Sequence, residues 1–270
     1  MRTMFEYDFM RNAFAAATVV ALVAGTVGYF LVLRGQTFAG HALAHVGFTG
    51  ATGSILVGIP PLWGLVAMTM AAGIGMGLMG ERLVQRDVAI GLVLAFSLAL
   101  GLLFLHFYTA FATQATTLLF GNVLAVDIPT VFTLLGLGAV SLAMLAIISR
   151  PLLFASLQPQ LAEAKGVSLQ LYGVLFLAIV ALTTAECAQI VGVLLVFALM
   201  VGPAAAAQQL TSAVPTGVLL SASLALFEAW GGITLAFYTD WPSSFWITAL
   251  SVAVYLLATV PRRLRAWQPA

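Results

Sequence analysis

Nine apolar stretches follow one another along this chain, at about residues 12–33, 38–58, 61–80, 88–109, 129–149, 169–185, 187–203, 216–237 and 243–260. Most approach the ~20 residues an α-helix needs to cross the hydrocarbon layer of a bilayer. Backbone groups in lipid must be satisfied within the spanning element, so segments of this length are expected to be helices. Charged residues make up only 7% of the chain against 62% hydrophobic ones. That much apolar side chain cannot be hidden in one soluble core of this size. The expected fold is all-α and polytopic, a single transmembrane domain over residues 1–270 with about eight or nine membrane helices. The seventh stretch is short and holds Gly192, Gly202 and Pro203, so it is expected to be broken or half-spanning. Glycine, at 25 residues, suits helices packed closely through small side chains. The first stretch lacks an A-x-A-like cleavage pattern after it and reads as a retained span.

The basic residues orient the chain. With the N-terminus outside, Arg34, Arg82, Arg86, Arg150, Lys165, Arg262, Arg263 and Arg265 all fall on the cytoplasmic side, leaving only Arg2 and Arg11 outside. This asymmetry follows the positive-inside rule and favours an odd number of spans with a cytoplasmic C-terminus. Tyr238, Trp241 and Trp246 beside Asp240 read as outer interfacial anchors.

Two segments are more polar. Tyr108–Pro129, with Gln114, Thr116, Asn122 and Asp127, is expected outside as a short interfacial helix or re-entrant piece. The cytoplasmic segment at about 150–168 begins with Pro151, which is expected to end the fifth span. Gln158, Pro159, Gln160, Leu161 and Ala162 then start a short helix, with proline suited to its first turn and Gly166 to its C-terminal cap. Such a helix is either a docking knob for a partner or a plain capped connector.

Within the second stretch stand His41 and His45. Residues at i and i+4 share one face of a helix, so both imidazoles can point at one place. Polar rings at membrane depth need compensation, and imidazole is a common ligand of divalent transition metals. The alternatives are a pathway for a divalent metal ion and two core histidines bonded to neighbouring carbonyls. Glu186 and Glu228 are candidates to supply compensating charge, with interhelical hydrogen bonding or an interfacial position the favoured role for Glu186, near the outer end. His106 is a candidate outer contact whose interfacial, structural role is the commoner case. Asp127 and Asp240 read as solvated loop carboxylates, and the lone Cys187 as a small buried hydrophobe. Met68, Met70, Met76 and Met79, among glycines, read as packing rather than a copper site.

The chain carries no G-x-x-x-x-G-K-[ST] loop, no H-E-x-x-H signature and no supported nucleophile–histidine constellation. It does not read as an enzyme, and nothing in it points to nucleic acid.

Several ordered motifs resemble the ABC-3 family, the membrane permease subunits of bacterial ABC transporters for zinc and manganese. Arg34, Phe38, Gly40, Ala42, His45 and Gly50 resemble that family's basic residue followed by F-x-G-D-A-x-S-H and a glycine. Leu119-Phe120-Gly121-Asn122 is similar to its L-F-G-N turn, and Ser156–Ala162 to its S-F-D-P-E-x-A segment. Val191–Val196 followed by Pro203-Ala204-Ala205, and Asp240-Trp241-Pro242-Ser243, match two further patterns. His41 stands where the family usually has Asp, and Ala44 where it usually has Ser.

The resemblance implies a permease in the bacterial plasma membrane that works as a homodimer. It would pair with two copies of a separate ATPase and with an extracytoplasmic metal-binding protein. It implies no permanently bound cofactor, only a transported zinc or manganese ion. Carried over residue by residue, His41 and His45 would hold that ion, with Glu228 and His106 as weaker candidates. Gln158, Pro159, Gln160, Ala162 and Gly166 would couple to the ATPase. Replacing a carboxylate by imidazole at position 41 favours zinc over manganese. The competing readings are a siderophore- or vitamin B12-type permease and an ATP-independent metal carrier.

Overall fold

The computed structural model describes residues 4–79, 83–107 and 117–266. It is built from helices: α1 (Asp8–Leu33), α2 (Thr37–Leu56), α3 (Pro61–Leu78), α4 (Leu83–His106), α5 (Ile128–Leu157), α6 (Pro159–Ala164), α7 (Leu169–Val191), α8 (Val196–Leu210), α9 (Val214–Thr239) and α10 (Ser243–Ala266). Local chemistry places several of their ends. The Asp127 carboxylate accepts from the Thr130 amide at the start of α5, and the Ser168 hydroxyl from the Leu171 amide at the start of α7. Proline opens α3 and α6, where its missing N–H costs nothing.

Among the described residues seven helices are long and apolar enough to cross a membrane: α1, α3, α4, α5, α7, α9 and α10. α2 has the length, at 20 residues, but its two histidines and its threonines and glycines dilute its apolar character. α8, at 15 residues, spans only about 22 Å, short of a hydrocarbon layer of about 30 Å. The expected stretches therefore reappear as helices with shifted boundaries, most clearly between α7 and α8. α7 runs unbroken from Leu169 to Val191, through the expected division near residue 186. The interruption falls at Gly192, whose φ of +77° ends the helix as a side chain would resist doing.

A second correction concerns Pro151. It does not end its helix, since α5 continues to Leu157 with the proline inside. The proline removes one backbone donor, and the packing of this segment outweighs that loss. Leu152 and Ala155 are both buried beyond it. Of the polar segment at 108–129, residues 108–116 lie outside the described structure. The remainder is helical at 117–120 and holds a 3-10 turn over Val123–Ala125.

α1 and α7 form the centre, each burying most of its residues, while α4 and α10 bury few of theirs. α1 packs against α5, α7, α8 and α9, and α2 lies between α3 and α4 while touching α7 and α8. Glycines allow the closest approaches. A Cβ on Gly28 of α1 would land on the Met200 carbonyl of α8. Side-chain bonds then sort the loops into two ends. Arg34 to Ser156, Gln170 to the Leu78 carbonyl and Gln208 to the Tyr29 carbonyl join one end. Tyr7 against Phe237, and Val193 and Leu194 bonding to the carbonyls of Leu118 and Leu119, mark the other. The side chains of Arg2, Arg82, Arg86, Arg262, Arg263 and Arg265 lie outside the described residues.

Candidate metal centre

α1 stops at Leu33, and the chain turns through Arg34 and Gly35, the latter at φ +64°. α2 then begins at Thr37 and carries His41 and His45 one turn apart. Their ring centroids are 4.8 Å apart with planes at 83°, so the two imidazoles converge as their spacing requires. His41 is half-buried and meets the ring of Phe197 edge-on, 5.7 Å between centroids. Phe197 belongs to the first turn of α8, so the break after Gly192 starts a helix directly beside the histidines. His45 is buried, and its Nδ1 has no hydrogen-bond partner among the described residues. A buried ring nitrogen left unpaired is costly unless something else binds it. Imidazole is a common ligand of divalent transition metals, and here two of them lie together on one helix face.

Among the described residues no three histidine, cysteine or carboxylate side chains come together in a cluster able to hold a metal. Glu186 and Glu228 therefore do not complete the shell. Glu186 is fully buried and accepts from Ser141 Oγ at 3.2 Å, an interhelical bond between α7 and α5. Glu228 is fully buried in α9, where neither carboxyl oxygen has a hydrogen-bond partner among the described residues. His106 is the exposed last residue of α4, edge-on to Phe107 at 5.7 Å. Asp127 serves as a helix cap, and Asp240 is exposed at the end of α9. Cys187 is buried, as a small apolar side chain would be. Met76 is buried while Met68 and Met79 are exposed, so the methionines do not converge.

Past Leu157, the short helix of the 150–168 segment takes the expected form. Gln158 ends α5 and starts α6, and Pro159 opens the short helix. Gly166, at φ +80°, closes it while the Val167 amide returns to the Ala162 carbonyl at 2.9 Å. Ala162 is buried and seats the helix, whereas Gln158, Pro159, Gln160, Leu161 and Gly166 are exposed. The arrangement is a short rigid helix with an apolar leucine at its surface.

Two features were not readable from the sequence. Gly121 and Gly192 pack backbone against backbone, and a Cβ on either would strike the other's amide nitrogen. Arg34 reaches Ser156, 122 residues away, and lies over the ring of Phe176. The positive-φ glycines were visible only as glycines, and nothing local announces either contact.

The sequence profile of the ABC 3 transport family matches residues 6–262. The manganese transport system membrane protein MntC of Halalkalibacterium halodurans is 28% identical over 256 residues, covering 94% of this chain and 88% of the relative. The manganese import system permease protein ScaB of Streptococcus gordonii is 29% identical over 256 residues, covering 94% and 92%. Among solved structures, PsaBC from Streptococcus pneumoniae in complex with Fab superposes with a TM-score of 0.82 at 27% identity, covering 94% of this chain and 92% of that one.

Proposed function

This chain belongs to the ABC 3 transport family, and we propose that it is the membrane-spanning permease subunit of an ATP-driven importer of divalent metal ions, zinc or manganese. The observation that carries the reading is the edge-to-face pair of His41 and His45, with an unpaired buried nitrogen, on a helix inside a membrane bundle. The names of the relatives support a metal cargo, since MntC and ScaB are manganese permeases. Two imidazoles are too few to strip an ion of most of its water. In a homodimer, a second copy would bring two more, and the partly dehydrated ion would pass between them. Weak, incomplete coordination suits transit, because an ion held by a full protein shell would not leave.

The charge distribution supports placing the end that holds Arg34, Ser156 and Lys165 in the cytoplasm and the N-terminus outside. Two copies of a separate ATPase would dock on the exposed surface of α6, and an extracytoplasmic metal-binding protein would deliver the ion at the opposite end. The chain itself has no nucleotide-binding loop, so hydrolysis belongs to its partner.

The direct test is metal uptake into vesicles containing this chain and its ATPase, with zinc and manganese in competition. ATP-dependent accumulation of either ion is expected. Uptake that is absent, or that proceeds at the same rate without ATP, would refute the reading.

A further inference from the structure

One side chain ties the α1–α2 turn to the segment that carries α6. Arg34 Nη1 donates to Ser156 Oγ at 2.6 Å, and the guanidinium carbon lies 5.5 Å from the ring centroid of Phe176 in α7. Ser156 Oγ itself donates to the Leu152 carbonyl at 2.6 Å, which fixes the hydroxyl to the last turns of α5. Two residues after Ser156, Gln158 ends α5 and starts α6. In the other direction, Arg34 is followed by Gly35 and Gln36, and then by the helix bearing His41 and His45. The guanidinium thus sits between the exposed short helix and the start of the histidine helix, held on one side by a hydroxyl and on another by an aromatic face. A cavity of about 290 Å³ adjoins it, lined by Arg34, Gln36, Phe38, Asp87, Ser156 and Pro159.

We infer that Arg34 is a positioning residue that transmits displacement of the α6 segment to α2, and through it to His41 and His45. This rests on the permease reading above. The chemistry suits the task. A planar guanidinium can stack on a ring and donate in its own plane at once, so motion of Ser156 is passed on rather than absorbed by a flexible tether. Lysine, a point charge on a mobile stem, cannot make both contacts.

The test uses the complete transporter, permease with ATPase and extracytoplasmic binding protein, in proteoliposomes, recording metal uptake and ATP hydrolysis on the same sample. Arg34→Ala is expected to lower metal moved per ATP hydrolysed by about ten-fold, the scale of a lost charge-assisted hydrogen bond, while hydrolysis stays within about two-fold. Arg34→Lys should fall between wild type and Arg34→Ala. Ser156→Ala should lower the ratio in the same direction, and the double variant Arg34→Ala/Ser156→Ala should be no worse than Arg34→Ala, because both remove one interaction. An unchanged ratio in Arg34→Ala, or additive losses in the double variant, would overturn the inference. If Arg34→Ala does not assemble, Arg34→Lys and Ser156→Ala decide it, and unchanged ratios in both overturn it. Failure of the wild-type transporter to move metal would instead refute the permease reading.

Discussion

The ring of His45 lies edge to face with that of His41, and its buried Nδ1 has no hydrogen-bond partner among the described residues. A structural histidine in a membrane core would be expected to bond a neighbouring carbonyl or hydroxyl. This nitrogen does not, and it sits beside a second imidazole.

Replacing both histidines with alanine should therefore abolish ATP-dependent metal uptake while the protein still assembles with its ATPase. His41→Asp should move the zinc-to-manganese uptake ratio toward manganese, because carboxylate oxygen suits the harder ion. Normal uptake by the double-alanine variant would eliminate the site.

Ser141 and Glu186 join α5 to α7 in the buried centre. Ser141→Ala removes the donor to that carboxyl and should destabilise the protein by about 1–3 kcal/mol, the cost of a buried polar group left unsatisfied. Glu186→Gln keeps an acceptor for Ser141 and should cost less. Thermal unfolding in detergent would rank the two, and the reverse order would be contrary to this account.

Gly28 leaves room for the Met200 carbonyl where α1 crosses α8, whereas a Cβ on Gly136 would meet nothing within 4 Å. Gly28→Ala should destabilise by about 1–3 kcal/mol through overpacking. Gly136→Ala should be neutral or mildly stabilising, since alanine is the better helix former. Equal unfolding temperatures for the two variants would show that the α1–α8 contact is looser than described.

Asp127 caps α5 from just outside its span, and its hydrogen bonds with Thr130 hold its carboxyl below the ordinary carboxylate pKa. A depressed acid stabilises the folded helix start above the ordinary pKa, and that contribution fades as pH falls through the lowered value. Protection of the Thr130 amide from hydrogen exchange should accordingly drop toward acid pH. In Asp127→Ala the protection should be lower and free of that acid-side drop; an unchanged profile would remove Asp127 from the cap.

Leu161 presents 47% of its surface on the exposed short helix α6. Leu161→Asp should leave folding intact, because Ala162 rather than Leu161 seats the helix. Co-purification with the ATPase should fall by about ten-fold, the effect of placing a charge in an apolar contact. Undiminished association would place the docking surface elsewhere.

Much of this molecule was legible in its sequence, because the elements are governed by local rules. Apolar runs of membrane length become helices since lipid offers their backbones no other partner. The four-residue spacing of His41 and His45 sets both rings on one face whatever surrounds them. Gly192 marked a break, and Pro159 with Gly166 bounded a short helix, through dihedral preferences that act residue by residue. Tertiary structure decided the rest. Pro151 lies inside α5, because the packing of Leu152 and Ala155 outweighs one missing backbone bond. Glu228 stays away from the histidines, Phe197 is brought against His41 and Arg34 meets Ser156, each through packing between helices remote in sequence. Those outcomes depend on which helix faces meet, and in a chain apolar on nearly every face no local pattern specifies the choice. Close approaches at a few glycines, and a few buried polar groups seeking partners, select it only once the bundle has formed.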